Sequence, residues 1–164
     1  NDIRAALDMV GQSSVDVIYI VDSYGSIYPE EMARICDLYG EYAAKYNKKL
    51  GIHAHDNQKL AFANTIECVG DNVDYLDATY LSMGRGAGNC AMELLLGFLK
   101  NPKYNEYPVL EFIEKHMMPM KESSTIGLPN NLKQSTKPEA LPSIFSSSIG
   151  APAKNIVAKT PIII

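Results

Sequence analysis

VDYLDATYLSMGRGAGN, residues 73–89, decides the fold. Its first part, VDYLDATYL (73–81), has the apolar content of a β-strand, and the glycine cluster GRGAG (84–88) comes directly after it. In a doubly wound sheet the phosphate-binding glycines sit in the first βα turn. Here they follow the last strand of the chain. A (β/α)8 barrel places functional residues at the C-terminal ends of its strands and often uses the loops after its final strands to hold anionic groups. The late glycines therefore favour the closing part of a barrel.

Working back toward the N-terminus, two more strands and the helices between them can be read. KLGIHAH (49–55) is one strand, and VDVIYIVDS (15–23) is a dense β-branched run of the kind expected when both faces are buried. Ile3, Ala6, Leu7 and Val10 recur at helical spacing, closed by Gly11. Met32, Ile35, Cys36, Tyr39, Tyr42, Ala43 and Tyr46 do the same after Pro29, a residue suited to a first helical turn. Phe62, Ala63, Ile66 and Val69 mark a further helix, as do Met92, Leu95, Leu96 and Leu99. A last helix spans about 107–118. The fold class is α/β: three parallel strands joined by right-handed crossovers, the C-terminal part of a (β/α)8 barrel. Strands apolar on both faces require cover on both sides.

The chain has 164 residues, 46% of them hydrophobic and 21% charged, with a net charge of -4. These values describe an ordinary globular protein. Without a Lys/Arg run there is no electrostatic footprint for nucleic acid or an anionic membrane surface, so small-molecule substrates are the default. No apolar run suggests a membrane span, and the N-terminal pattern lacks the basic flank and apolar block of a signal peptide, which points to the cytoplasm. Cys36, Cys68 and Cys90 show no paired spacing and read as reduced, structural thiols. All ten tyrosines and all three histidines precede residue 122, whereas 123–164 holds seven Ser and five Pro and keeps no period. Two regions follow: a catalytic-type domain over 1–122 and a Ser/Pro-rich tail over 123–164, extended or disordered.

The polar residues collect at one rim. Asp22 and Ser23 end the first strand, His53 and His55 the second, and Arg85 and Asn89 follow the third. Side chains alternate along a strand, so His53 and His55 share a face with α-carbons about 6.5–7 Å apart, close enough for two imidazoles to meet one ion. Histidines in such a run also serve as satisfied core residues. The Asp56-Asn57 pair that follows weights the metal reading. Arg85 reads as a solvated loop arginine ahead of a grip for a carboxylate, and Asn89 as either a plain N-cap of the final helix or a ligand-contacting amide.

DVIYIVDSYG, GIHAHDNQKLAFAN and VDYLDATYLSMGRGAGNCAMELLL together resemble the last three βα units of the metal-dependent lyase and acyltransferase barrels, the DRE-TIM metallolyases. That group includes hydroxymethylglutaryl-CoA lyase, isopropylmalate synthase and 4-hydroxy-2-oxovalerate aldolase. The Asp22-Ser23 strand end and the segment Met83 to Asn89 look most like the aldolase type, and the cysteine-bearing loop of the CoA lyases is missing. The resemblance implies metal ligation by His53, His55 and Asn89, and contact with a 2-oxo acid at Ser23 and His53. The implied cofactor is a divalent ion, Mn²⁺ or Mg²⁺ first and Zn²⁺ second. The implied reaction is retro-aldol cleavage of a 4-hydroxy-2-oxo acid to pyruvate and an aldehyde, through a stabilised enolate.

The departures are equally specific. The family takes a further metal-ligating aspartate, an adjacent arginine and, in the aldolases, a histidine base from the barrel's first strand, and none of these has a counterpart here. No catalytic base is therefore assigned, and two imidazoles with an amide leave a divalent ion under-neutralised. The resemblance implies an oligomer or a partner supplying the rest of the barrel, and in the aldolase branch an aldehyde dehydrogenase partner. Two alternatives stand beside it: an acetyl-CoA-dependent 2-oxo acid acyltransferase, which uses the same enolate chemistry, and a non-catalytic barrel remnant whose bare strand edges need another chain.

Overall fold

The structure is a computed structural model, and it describes residues 2–71, 73–99 and 103–123. The elements alternate as expected. Helix α1 (Asp2–Gly11) precedes strand β1 (Val17–Asp22), helix α2 (Pro29–Lys45), strand β2 (Lys49–Ala54), helix α3 (Ala61–Gly70) and strand β3 (Tyr75–Leu76). Helix α4 (Met92–Leu99) follows the glycine loop, and a final helical stretch runs from α5 (Tyr107–Phe112) through a π-turn (Ile113–Met117) into α6 (Met118–Ser123). Apart from Ser123, the expected tail lies outside the described residues.

The three strands form one parallel sheet in the order β1-β2-β3. Register runs from Val17 opposite Lys49 to Asp22 opposite Ala54, then Gly51 opposite Tyr75 and Ile52 opposite Leu76. Parallel pairing follows from the helix that carries the chain back across the sheet each time. Pro29 opens α2 with Glu30 and Glu31 in its first turn and Lys45 in its last, charges placed to complement the helix dipole.

Helices cover one face of the sheet. Ile18, Ile20, Leu50, Ile52 and Ala54 point into it and are buried, as are Met32 and Cys36 from α2 and Ala61 and Cys68 from α3. Each large side chain so buried contributes about 1.5–3 kcal/mol relative to exposure. The opposite face is bare: Val17, Tyr19 and His53 are half-buried, and Val21 is 52% exposed. Strand β1 is therefore covered on one face only, contrary to the two-sided burial its composition suggests. A β-branched run is equally suited to the lining of a closed barrel, which these three strands do not close by themselves.

Two further expectations are corrected. The strand read over 73–81 shortens to Tyr75–Leu76, and Tyr80–Ser82 form a 3-10 turn with Leu81 and Ser82 at φ of 50° and 55°. With a pairing partner on one side only, the chain leaves the ladder after Leu76, and Thr79 bridges Ala91 instead. Val109, Ile113 and Met117 then pack over this turn against Tyr80, Leu81 and Met92. Cys36 and Cys68, expected as free thiols, are joined as a disulfide with Cα atoms 6.0 Å apart, because α2 and α3 lie side by side on the same face of the sheet. Cys90 is a buried thiol that burial pushes up to about 12, so it is poorly nucleophilic.

Candidate functional site

Strand alternation sends His53 to the bare face, and His55 follows one residue beyond the end of β2. Their rings meet edge to face, centroids 5.1 Å apart at 74°, with the two Nε2 atoms 3.3 Å apart. On its other side His53 Nδ1 lies 3.1 Å from Asp77 Oδ2. A carboxylate accepts, so the hydrogen of this contact lies on Nδ1, and Nε2 is the ring nitrogen turned toward His55. Asp77, one residue past β3, was not singled out in the sequence. The β2–β3 register places it beside His53, and its own N–H donates to Ile52 O at 3.0 Å.

The surrounding loops hold this strand end in place. His55 N–H donates to Asp22 O at 3.2 Å, and Asn57 Nδ2 donates to Tyr24 O at 2.6 Å. Gly25, at φ +59°, packs so closely that a Cβ there would lie 2.6 Å from His55 O. Asp56 turns away from the histidines: Oδ1 accepts from Ala61 N–H at the start of α3, and Oδ2 pairs with Lys59. The Asp-Asn pair that weighted the metal reading is thus a structural clamp. Asp22 is similarly occupied, its buried carboxylate accepting from the Ser26 and Ile27 N–H groups.

Three of the four sequence-predicted site residues come together. His53 and His55 meet ring to ring, and Asn89 is bridged to His55 through the backbone. Asn89 lies three residues ahead of α4 and so is not its N-cap. Its Nδ2 donates to Met83 O at 3.4 Å, while its buried Oδ1 meets no donor among the described residues. Ser23 is exposed at the same rim, one residue past the Asp22–Ala54 pair. Arg85 is exposed on the glycine loop.

The donors fit the imidazole side of a divalent-cation site. Nitrogens 3.3 Å apart suit adjacent ligands of one ion whose bonds to imidazole are about 2.0–2.1 Å, and the unsatisfied Asn89 oxygen is a neutral donor on the residue whose backbone bridges to His55. No group of three or more His, Cys, Asp or Glu side chains is placed to hold a metal among the described residues. The pair alone would supply two of the ligands such a site needs.

The HMGL-like family model matches residues 1–113. The chain belongs to the HMGL-like family. Among its relatives, a 4-hydroxy-2-oxovalerate aldolase of Thermus thermophilus is 38% identical over 64% of this chain, and an oxaloacetate decarboxylase of Mycobacterium tuberculosis is 36% identical over 52%. The chain spans 31% and 25% of the lengths of those two proteins, under a third of either. A crystal structure of the N-terminal domain of a candidate aldolase from Bacteroides vulgatus superposes with a TM-score of 0.55 at 38% identity, covering 66% of this chain and 36% of the other. This HMGL-like chain has the architecture of a partial (β/α)8 barrel. Among its described residues no helix is long and apolar enough to cross a membrane.

Proposed function

We propose that this HMGL-like chain carries the histidine rim of a divalent-cation-dependent aldolase that cleaves a 4-hydroxy-2-oxo acid to pyruvate and an aldehyde. The observation that carries the reading is the 3.3 Å approach of His53 Nε2 and His55 Nε2 at the C-terminal end of a parallel strand. That end is where barrel enzymes place their chemistry. The name of the Thermus relative supports the substrate class.

In this reading His53 and His55 hold the cation, with Asn89 Oδ1 as a neutral third donor. When bound, a divalent ion supplies Lewis-acid polarisation of the carbonyl and carboxylate oxygens of the 2-oxo acid. Ser23, exposed at the same rim, offers a hydroxyl to the carboxylate end of the substrate. The described residues supply no carboxylate on the Nε2 side of the pair, so the ion's charge is met by groups from the strands that complete the barrel, in this polypeptide or in a partner. The bare face, and the edges of β1 and β3 that pair with no other strand among the described residues, offer those strands a place to pack.

The decarboxylase relative favours a second reading, loss of CO₂ from oxaloacetate. Both reactions break a carbon–carbon bond to leave pyruvate. To separate them, the full-length protein with Mn²⁺ is given a 4-hydroxy-2-oxo acid, oxaloacetate, or acetyl-CoA with a 2-oxo acid. Pyruvate with an equimolar aldehyde from the first is expected. Pyruvate from oxaloacetate alone would replace the aldolase reading with decarboxylation, and free CoA thiol from the third mixture would replace it with acyl transfer.

A further inference from the structure

We propose that Asp77 is the positioning residue of the histidine pair and that Tyr19 holds Asp77, so that side chains from three adjacent strands form one relay across the bare face. The inference rests on the reading of His53 as a metal ligand, and deepens it. In the sheet, Val21 pairs with His53 and Tyr19 with Gly51, while Gly51 pairs onward with Tyr75, two residues before Asp77. Tyr19 on β1 thus reaches Asp77 on the far side of β2 by crossing over Gly51. That crossing requires glycine: a Cβ at position 51 would lie 2.5 Å from Tyr19 Cε1.

Laid across Gly51 in this way, the Tyr19 ring carries its hydroxyl toward the Asp77 carboxylate. Burial first, and then the nearby Asp77 charge, push that hydroxyl up to about 12, so it keeps its proton through the neutral range. The carboxylate in turn accepts from His53 Nδ1, the ring nitrogen away from His55. Asp77 therefore shares no ion with the Nε2 pair. It fixes the Nδ1–H tautomer and ring orientation that aim the Nε2 lone pair at the site, as carboxylates behind metal-binding histidines do.

The test uses metal-free, full-length protein with ¹⁵N-labelled histidine. Nuclear magnetic resonance reports the tautomer of His53, and a Mn²⁺ titration reports affinity, in the unaltered protein, Asp77→Asn and Tyr19→Phe. We expect Nδ1–H at His53 in the unaltered protein, its loss in Asp77→Asn, and Mn²⁺ affinity lower by about 10–100-fold in that variant. In Tyr19→Phe, which keeps the ring, the tautomer is retained and affinity falls by about threefold to tenfold. An Nε2–H tautomer in the unaltered protein, or an Asp77→Asn variant with unchanged tautomer and affinity, overturns the relay. A tautomer that follows Asp77 in a protein whose Mn²⁺ binding is indifferent to His53→Ala upholds the relay and rejects the metal reading instead.

Discussion

His53→Ala is expected to abolish divalent-cation-dependent pyruvate release by the full-length protein while leaving it folded. Even a partner behind a metal-binding histidine is worth about 10–100-fold, so loss of the ligand itself should cost about a thousandfold or more. The side chain is 30% exposed on the bare face, and its truncation opens no cavity in the helix-covered core. Stability should therefore move by less than about 1 kcal/mol. Pyruvate release measured against added Mn²⁺, with thermal unfolding alongside, separates the two effects. Full activity in His53→Ala would remove the histidine from the site, and an unfolded variant would make it a structural residue.

Gly88→Ala should have the largest effect on stability. Gly88 sits at φ +95°, where an alanine is strained, and a Cβ there would lie 2.0 Å from Ser82 O. Backbone oxygen cannot rotate aside as a flexible side chain can. The same carbonyl accepts from Asn89 N–H at 3.1 Å, and Gly88 O accepts from Asp56 N–H at 2.8 Å. One methyl group would thus pry apart the glycine loop and the strand end that carries His55. Conformational strain and overpacking together cost about 3–5 kcal/mol, a large part of the stability of an ordinary domain. Gly40 provides the contrast, since it lies in α2 with open space around its Cβ position. Gly40→Ala should stabilise by about 0.5–1 kcal/mol through helix propensity. Urea unfolding of both variants checks this, and equal effects would contradict the assigned role of Gly88.

The order of elements was legible because each helix repeats its apolar residues at one period and each strand is a short β-branched run. Where the reading failed, the cause was in each case non-local. The faces of β1 look alike in sequence, since Val17, Tyr19 and Val21 are as apolar as Ile18 and Ile20, and only the tertiary arrangement shows one set bare. β3 is shorter than its segment suggests because the apolar composition continues past the point where its pairing with β2 ends. Nothing in the spacing of Cys36 and Cys68, 32 positions apart, indicates that their helices lie side by side.

The site shows the same division. His53 and His55 could be found because an H-x-H on a strand needs only the two-residue period to bring its rings together. Asp77 could not be found from its own segment, where it is one carboxylate among several. Its signal was the register of β2 against β3, which makes it the cross-strand neighbour of His53. Asp56 misled for the opposite reason, being adjacent in sequence but turned toward α3 and Lys59.

The central claim is that two imidazoles on one strand end hold one cation, and it can be tested without any substrate. Electron spin echo modulation of Mn²⁺ bound to the full-length protein, with ¹⁵N-labelled histidine, counts the ring nitrogens attached to the ion. Two in the unaltered protein and one in His55→Ala is the predicted result. A count of zero in the unaltered protein, with Mn²⁺ bound elsewhere, would contradict it.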